Sequence, residues 1–196
     1  MANTTRDRAW NFLSSHRQLL DGYHHHKENM ANAGFIVQLS LFGAVVSPKV
    51  WPPAWVEASI VAPATSTWLV YFILWMVLHV YIRWQLQNKR IAAIFIAGIQ
   101  KALLDWLKSA PSSEDLQPYG EDLPRSQGFR KLLSHFFVVT GQQVEGDLGL
   151  QDYPRFAASR IADVPRQGTG ALTHEHLVTY SSWLLLTLAS VRIFLG

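Results

Sequence analysis

The sequence predicts an all-α integral membrane protein: three transmembrane helices, a long helix extending from span two, and a small cytoplasmic helical cap. Three observations lead there. Between Glu57 and Arg83 lie 25 residues without a formal charge, and a helix rising about 1.5 Å per residue crosses a ~30 Å hydrocarbon layer in ~20. Two further uncharged windows, Asn29–Pro48 and His176–Val191, are separated from that run or from each other by polar sequence. Several of the 8 tryptophans flank the apolar runs, where an amphipathic ring suits the headgroup layer.

Residues 1–29 form a polar, amphipathic N-terminal segment without the apolar core that a cleaved signal peptide carries. A transmembrane hairpin follows over 30–84. Its first span, about 30–47, contains Asn32, Gln38, Ser40 and Ser47, and Pro48 and Lys49 end it. The turn at 48–63 is rich in Pro and Trp, with Trp51 and Trp55 placed as interfacial anchors. Span two, about 65–84, is the most hydrophobic segment and is poor in small or polar residues. It therefore reads as the lipid-facing span.

The region 85–171 is expected to be cytoplasmic and helical. Ile91, Phe95, Ile99, Ala102 and Trp106 share one helix face, and Lys101 and Asp105 are spaced as an i,i+4 pair, until Pro111 breaks the pattern. An amphipathic helix is predicted over 126–140, and a short one starting at Pro154. Residues 172–196 make the third span, with Arg192 near enough to the chain end to reach the headgroups.

Basic residues orient the chain. With the N-terminus, the Arg83 end of span two and 85–171 on one side, that side holds all but Lys49 and Arg192 of the 17 Lys and Arg residues. Arg83, Lys89 and Arg90 lie close to a span end, where they count most. The expected location is an inner or plasma membrane, with the N-terminus cytoplasmic and the C-terminus outside.

Catalytic motifs are scarce. The chain has no cysteine, which excludes disulfide frameworks, thiol nucleophiles and Cys-based zinc sites. No Gly-Xaa-Ser-Xaa-Gly elbow, phosphate-binding loop or carboxylate pair within a span is present, so no catalytic residue is assigned. Acidic neighbours around Arg125, Arg130 and Lys131 cancel most of the field a nucleic acid would need. The lipid bilayer is the partner that the sequence specifies.

Histidine is distributed unevenly: His24, His25 and His26 precede span one, His79 lies near the inner end of span two, and His174 and His176 begin span three. Imidazole binds Zn, Fe and Cu and titrates near neutral pH. This layer is the one candidate metal site. Three consecutive helical residues point about 100° apart, however, and neither HisGluXaaXaaHis nor a desaturase-type histidine box occurs. Packing or interfacial roles fit these residues better.

Span one carries the more informative pattern. Ala33, Ser40, Gly43, Ala44 and Ser47 form a row of small residues, which lets another helix approach closely. Gln38 lies on roughly the opposite side. An unpaired amide in hydrocarbon is costly, so Gln38 should face protein or water. These features predict assembly, as a homo-oligomer or as a structural subunit of a larger membrane complex, with contacts between subunits around span one.

An oligomeric channel or membrane-perturbing effector, with Gln38 lining a pore, is the alternative. In layout alone, without a shared motif, the chain resembles two-span effector modules of bacterial defence systems. A metal-dependent membrane oxidoreductase using the interfacial histidines is the third reading.

Overall fold

The computed structural model describes residues 2–47, 63–120, 150–165 and 174–195. These are mostly helical, and no strand occurs among them; one isolated bridge joins Pro118 and Pro154. Helix α1 runs Ala2–Val46, α2 Pro63–Lys108, α3 Arg155–Ala162 and α4 His174–Leu195, with a 3-10 turn at Leu150–Asp152 before α3. Three of the helices, α1, α2 and α4, are long and apolar enough to cross a membrane. At 45 and 46 residues, α1 and α2 are each about twice as long as one crossing requires. The predicted helix at 126–140 and the 48–63 turn with Trp51 and Trp55 lie outside the described residues.

The chain divides into two compact units, and α1 and α2 contribute to both. Among the described residues, the first unit comprises 2–28, 87–120 and 150–165. The second comprises 29–47, 63–86 and 174–195.

In the first unit, Leu13 of α1 and Ile94, Phe95, Ile99 and Ala102 of α2 pack with Leu150, Tyr153, Ala157, Ala158 and Ile161. The predicted face from Ile91 to Trp106 is this packing surface. Helix α2 stops at Lys108, before Pro111, whose ring cannot continue it. Ser112 and Asp115 then bond reciprocally: each backbone N–H donates to the other's side-chain oxygen, at 3.1 and 3.2 Å. The Ser112 hydroxyl, donating to Asp115 Oδ2 at 2.7 Å, and after it the Ser112 N–H hold the exposed Asp115 carboxyl below its ordinary value. Backbone bonds from Tyr119 N–H to Tyr153 O and from Arg155 N–H to Gln117 O, both 2.9 Å, tie the 3-10 turn and the start of α3 to this loop.

Helix α3 lies close against α2. A Cβ added to Gly98 would sit 2.5 Å from the Cα of Ile161, so only glycine admits the backbone at this distance. An ion pair flanks the contact, Arg160 Nε to Asp105 Oδ2 at 2.8 Å. Asp105 thus pairs across to α3 rather than with Lys101 on its own helix. Its partner lies 55 positions away in sequence, beyond what an i,i+4 argument can see.

His16 packs against Phe12 and the edge of Tyr153, with ring centroids 5.5 Å apart in both cases. Burial lowers its pKa from the ordinary 6.5. In the first unit, Gly98→Ala should therefore destabilise by about 1–3 kcal/mol, the usual cost of overpacking. Gly22→Ala, with nothing within 4 Å of the added carbon, should be neutral or stabilising by helix propensity. Thermal unfolding of the two variants checks the pair. The His16 shift has a definite sign: the unfolded chain takes up a proton at a higher pH than the folded one does. Stability should fall as pH drops below 6.5 toward the lowered folded value, and His16→Gln should flatten that slope.

Candidate functional site

The second unit is a three-helix bundle with two apolar clusters. Val45, Tyr71, Trp75, Leu186 and Ala189 form one; Ala31, Ile82, Leu86 and Val178 form the other. The remaining faces of α1, α2 and α4 expose Ile36, Val37, Leu69, Ile73, Val77, Leu184 and Val191, among others. Apolar side chains therefore lie both inside and outside this unit.

Polar groups within it are concentrated in one seam. Helices α2 and α4 run antiparallel, and their side-chain bonds follow that order. Trp68 Nε1 donates to Ser190 Oγ at 2.9 Å, Tyr71 O–H to Leu185 O at 3.4 Å, and Trp75 Nε1 to Ser182 O at 2.9 Å. His79 Nδ1 and Ser182 Oγ share a bond of 2.9 Å, and Arg83 Nη1 donates to Thr179 Oγ1 at 3.2 Å. The seam extends over about 22 Å of helix. His79 also stacks on Trp75 at 4.8 Å between ring centroids and meets Trp183 at 5.4 Å. Gln38 joins from α1, its Nε2 donating to Trp75 O at 3.3 Å.

Gln38 and His79 are each 1% exposed and Ser182 is 0% exposed. Gln38 Oε1, His79 Nε2 and Trp183 Nε1 have no hydrogen-bond partner among the described residues. Such buried groups are rare in native proteins and mark a site with spare hydrogen-bonding capacity.

The structure brings some predicted residues together and separates others. Gln38 is not exposed: its amide N–H donates to its own chain's Trp75 O. One face of α2 packs on that side of α1. Span two is likewise not simply the lipid-facing span. Tyr71, Trp75, His79 and Ile82 recur at helical spacing, each 1% exposed, and make one of its faces the centre of the bundle. Counting small and polar residues overlooked indole and phenol donors, which are apolar bodies with one polar tip.

On α1, Ser40 and Gly43 lie on the side away from Gln38 and are exposed, while Ala44 and Ser47 are half-buried. Ser40 Oγ donates back to Ile36 O at 3.0 Å, and nothing lies within 4 Å of a Cβ added to Gly43. At Ser40 and Gly43 the row of small residues is left uncovered by the described part of the chain.

The histidines are not gathered. No group of three or more His, Asp or Glu side chains converges among the described residues. His24 Nδ1 lies 3.1 Å from Lys89 O, His25 packs edge-on to His24, and His26 is exposed. His176 is buried and stacks on Tyr180, and the His174 side chain lies outside the described set. Among the interfacial cations, Lys89 Nζ pairs with Glu28 Oε1 at 2.8 Å and Arg83 engages Thr179. Both hold helices together as well as carrying charge. Arg90 and Arg192 are half-buried.

Compared with known protein families, with curated proteins and with solved structures, the chain matches none.

The His79–Ser182 bond makes the seam testable. Ser182→Ala leaves His79 Nδ1 without its partner and should cost about 1 kcal/mol. The His79→Phe, Ser182→Ala double variant should be less destabilised than the sum of the singles, since both polar partners are then gone. Thermal unfolding in mild detergent provides the double-mutant cycle.

Proposed function

We propose that this chain is an integral protein of an inner or plasma membrane that acts by assembly, as a homo-oligomer or as a structural subunit of a larger complex. The apolar exterior of the three-helix unit supports the membrane setting, since lipid tails are the solvent that such a surface suits. The charge distribution supports a cytoplasmic N-terminus and an outside C-terminus. On this reading the first unit, with α3 docked on α2, is the cytoplasmic cap.

The observation that carries the assembly reading is the uncovered small-residue row of α1. In lipid, apolar contact alone does not draw helices together; association depends on close backbone approach and on interhelical hydrogen bonds. The chain uses its hydrogen-bonding side chains on the inner faces of the bundle. It leaves the face that admits close approach, centred on Ser40 and Gly43, turned outward. The channel and effector reading needs water beside Gln38, and its bond to Trp75 O favours a structural role for that amide instead.

Because the chain has no cysteine of its own, single substitutions report contacts cleanly. Ser40→Cys and Gly43→Cys should form disulfide-linked species on mild oxidation in native membranes, whereas Ile73→Cys should not. Gly43→Leu should shift the protein toward smaller species on a native gel. A lone 22.2 kDa monomer in mild detergent, with no cross-linking at either position, would overturn the reading.

A further inference from the structure

The first unit contains a cleft of about 400 Å³ whose lining includes Phe12, His16, Tyr23, Phe95, Asp152 and Tyr153. That volume falls in the range of small-molecule sites. We propose that the cleft binds a small organic cation, its aromatic or aliphatic body lying against these rings and its ammonium group meeting the Asp152 carboxylate.

The cleft is built from three separate pieces of chain: one face of α1, one face of α2, and the 3-10 turn before α3. Tyr153 fixes the geometry at one end, packing on Phe12 at 5.7 Å, His16 at 5.5 Å and Phe95 at 5.5 Å between ring centroids. The polar groups at that end are Asp152, His16 and Tyr153, of which Asp152 is the carboxylate. Asp152 is exposed and makes no ion pair among the described residues. Burial lowers the His16 pKa, and burial together with the Asp152 charge pushes the Tyr153 phenol up to about 12. Asp152 is thus the charged group at this end, and it is an anion.

The other end already holds a cation. Lys27 Nζ lies 4.8 Å from the centroid of the Tyr23 ring, an arrangement that draws on the ring's negative face. Tyr23 is about 10 Å along α1 from His16. A ligand's ammonium therefore belongs at the Asp152 end, away from Lys27, and its apolar body along the rings between them. An anionic group placed at that end would lie against the Asp152 carboxylate.

Full-length protein in phosphatidylcholine nanodiscs tests this, with empty nanodiscs subtracted. Tryptamine is the cationic probe and indole-3-propionate its anionic counterpart, both followed by saturation-transfer NMR and titration. Tryptamine should bind and the propionate should bind more weakly. Asp152→Asn, at an exposed position, should weaken tryptamine by about threefold to fivefold, as for a partly exposed ion pair, and erase the preference. Leu20→Trp, which fills the cleft, should abolish binding while leaving the helical circular dichroism unchanged. Equal binding of the two probes, no binding of either, or an Asp152→Asn variant with unaltered preference would overturn the proposal.

Discussion

The seam between α2 and α4 is the constraint on which the three-helix unit depends. In water, burying Tyr71 and Trp75 would by itself draw these helices together. Between lipid tails that drive would be missing, because hydrocarbon outside a bundle is as apolar as the side chains within it. What distinguishes one register from its neighbours is then the set of donors that find acceptors. Bonds from Trp68, Tyr71, Trp75, His79 and Arg83 fall in order along α4. A shift of one helical turn would leave several of these groups unpaired at once, each at a cost of about 1 kcal/mol.

The first unit solves a different problem. Its core is assembled from the N-terminal part of α1, the C-terminal part of α2 and a short helix that is too brief to be stable alone. Helix α3 has 8 residues. It is held by backbone bonds to the loop after α2, by the Arg160–Asp105 pair, and by the close approach at Gly98. Each of these contacts joins positions distant in sequence. Aromatic and aliphatic packing around Tyr153 then closes one end of the cleft.

Most of the helical framework was legible, because it follows from local rules. Charge-free windows, the stop before Pro111 and the apolar face from Ile91 to Trp106 all depend on residues within a few turns of one another. What was not legible depends on pairing across the chain. Gly98 carries no local signal: a glycine inside a strongly helical pattern reads as a minor blemish until α3 is placed against it. Asp105 has an apparent partner at Lys101, and only the fold supplies the better one at Arg160. The role of span two was misread because its polarity resides in indole, phenol and imidazole atoms at the tips of large apolar groups. The contact between Gln38 and Trp75 O depends on which face of α2 turns toward α1, and nothing local to either helix specifies that.

The chemistry of the seam also distributes mutational risk unevenly. Three of its bonds end on main-chain carbonyls: Gln38 to Trp75, Tyr71 to Leu185, and Trp75 to Ser182. A carbonyl is supplied by whatever amino acid occupies the position, so Leu185 can drift among apolar residues of similar size and still accept. Gln38, Tyr71 and Trp75 have no such latitude, since few side chains present a donor at the same reach. Permissive and restrictive positions therefore face one another across the helix boundary, and a library of random substitutions should divide along that line rather than by depth of burial.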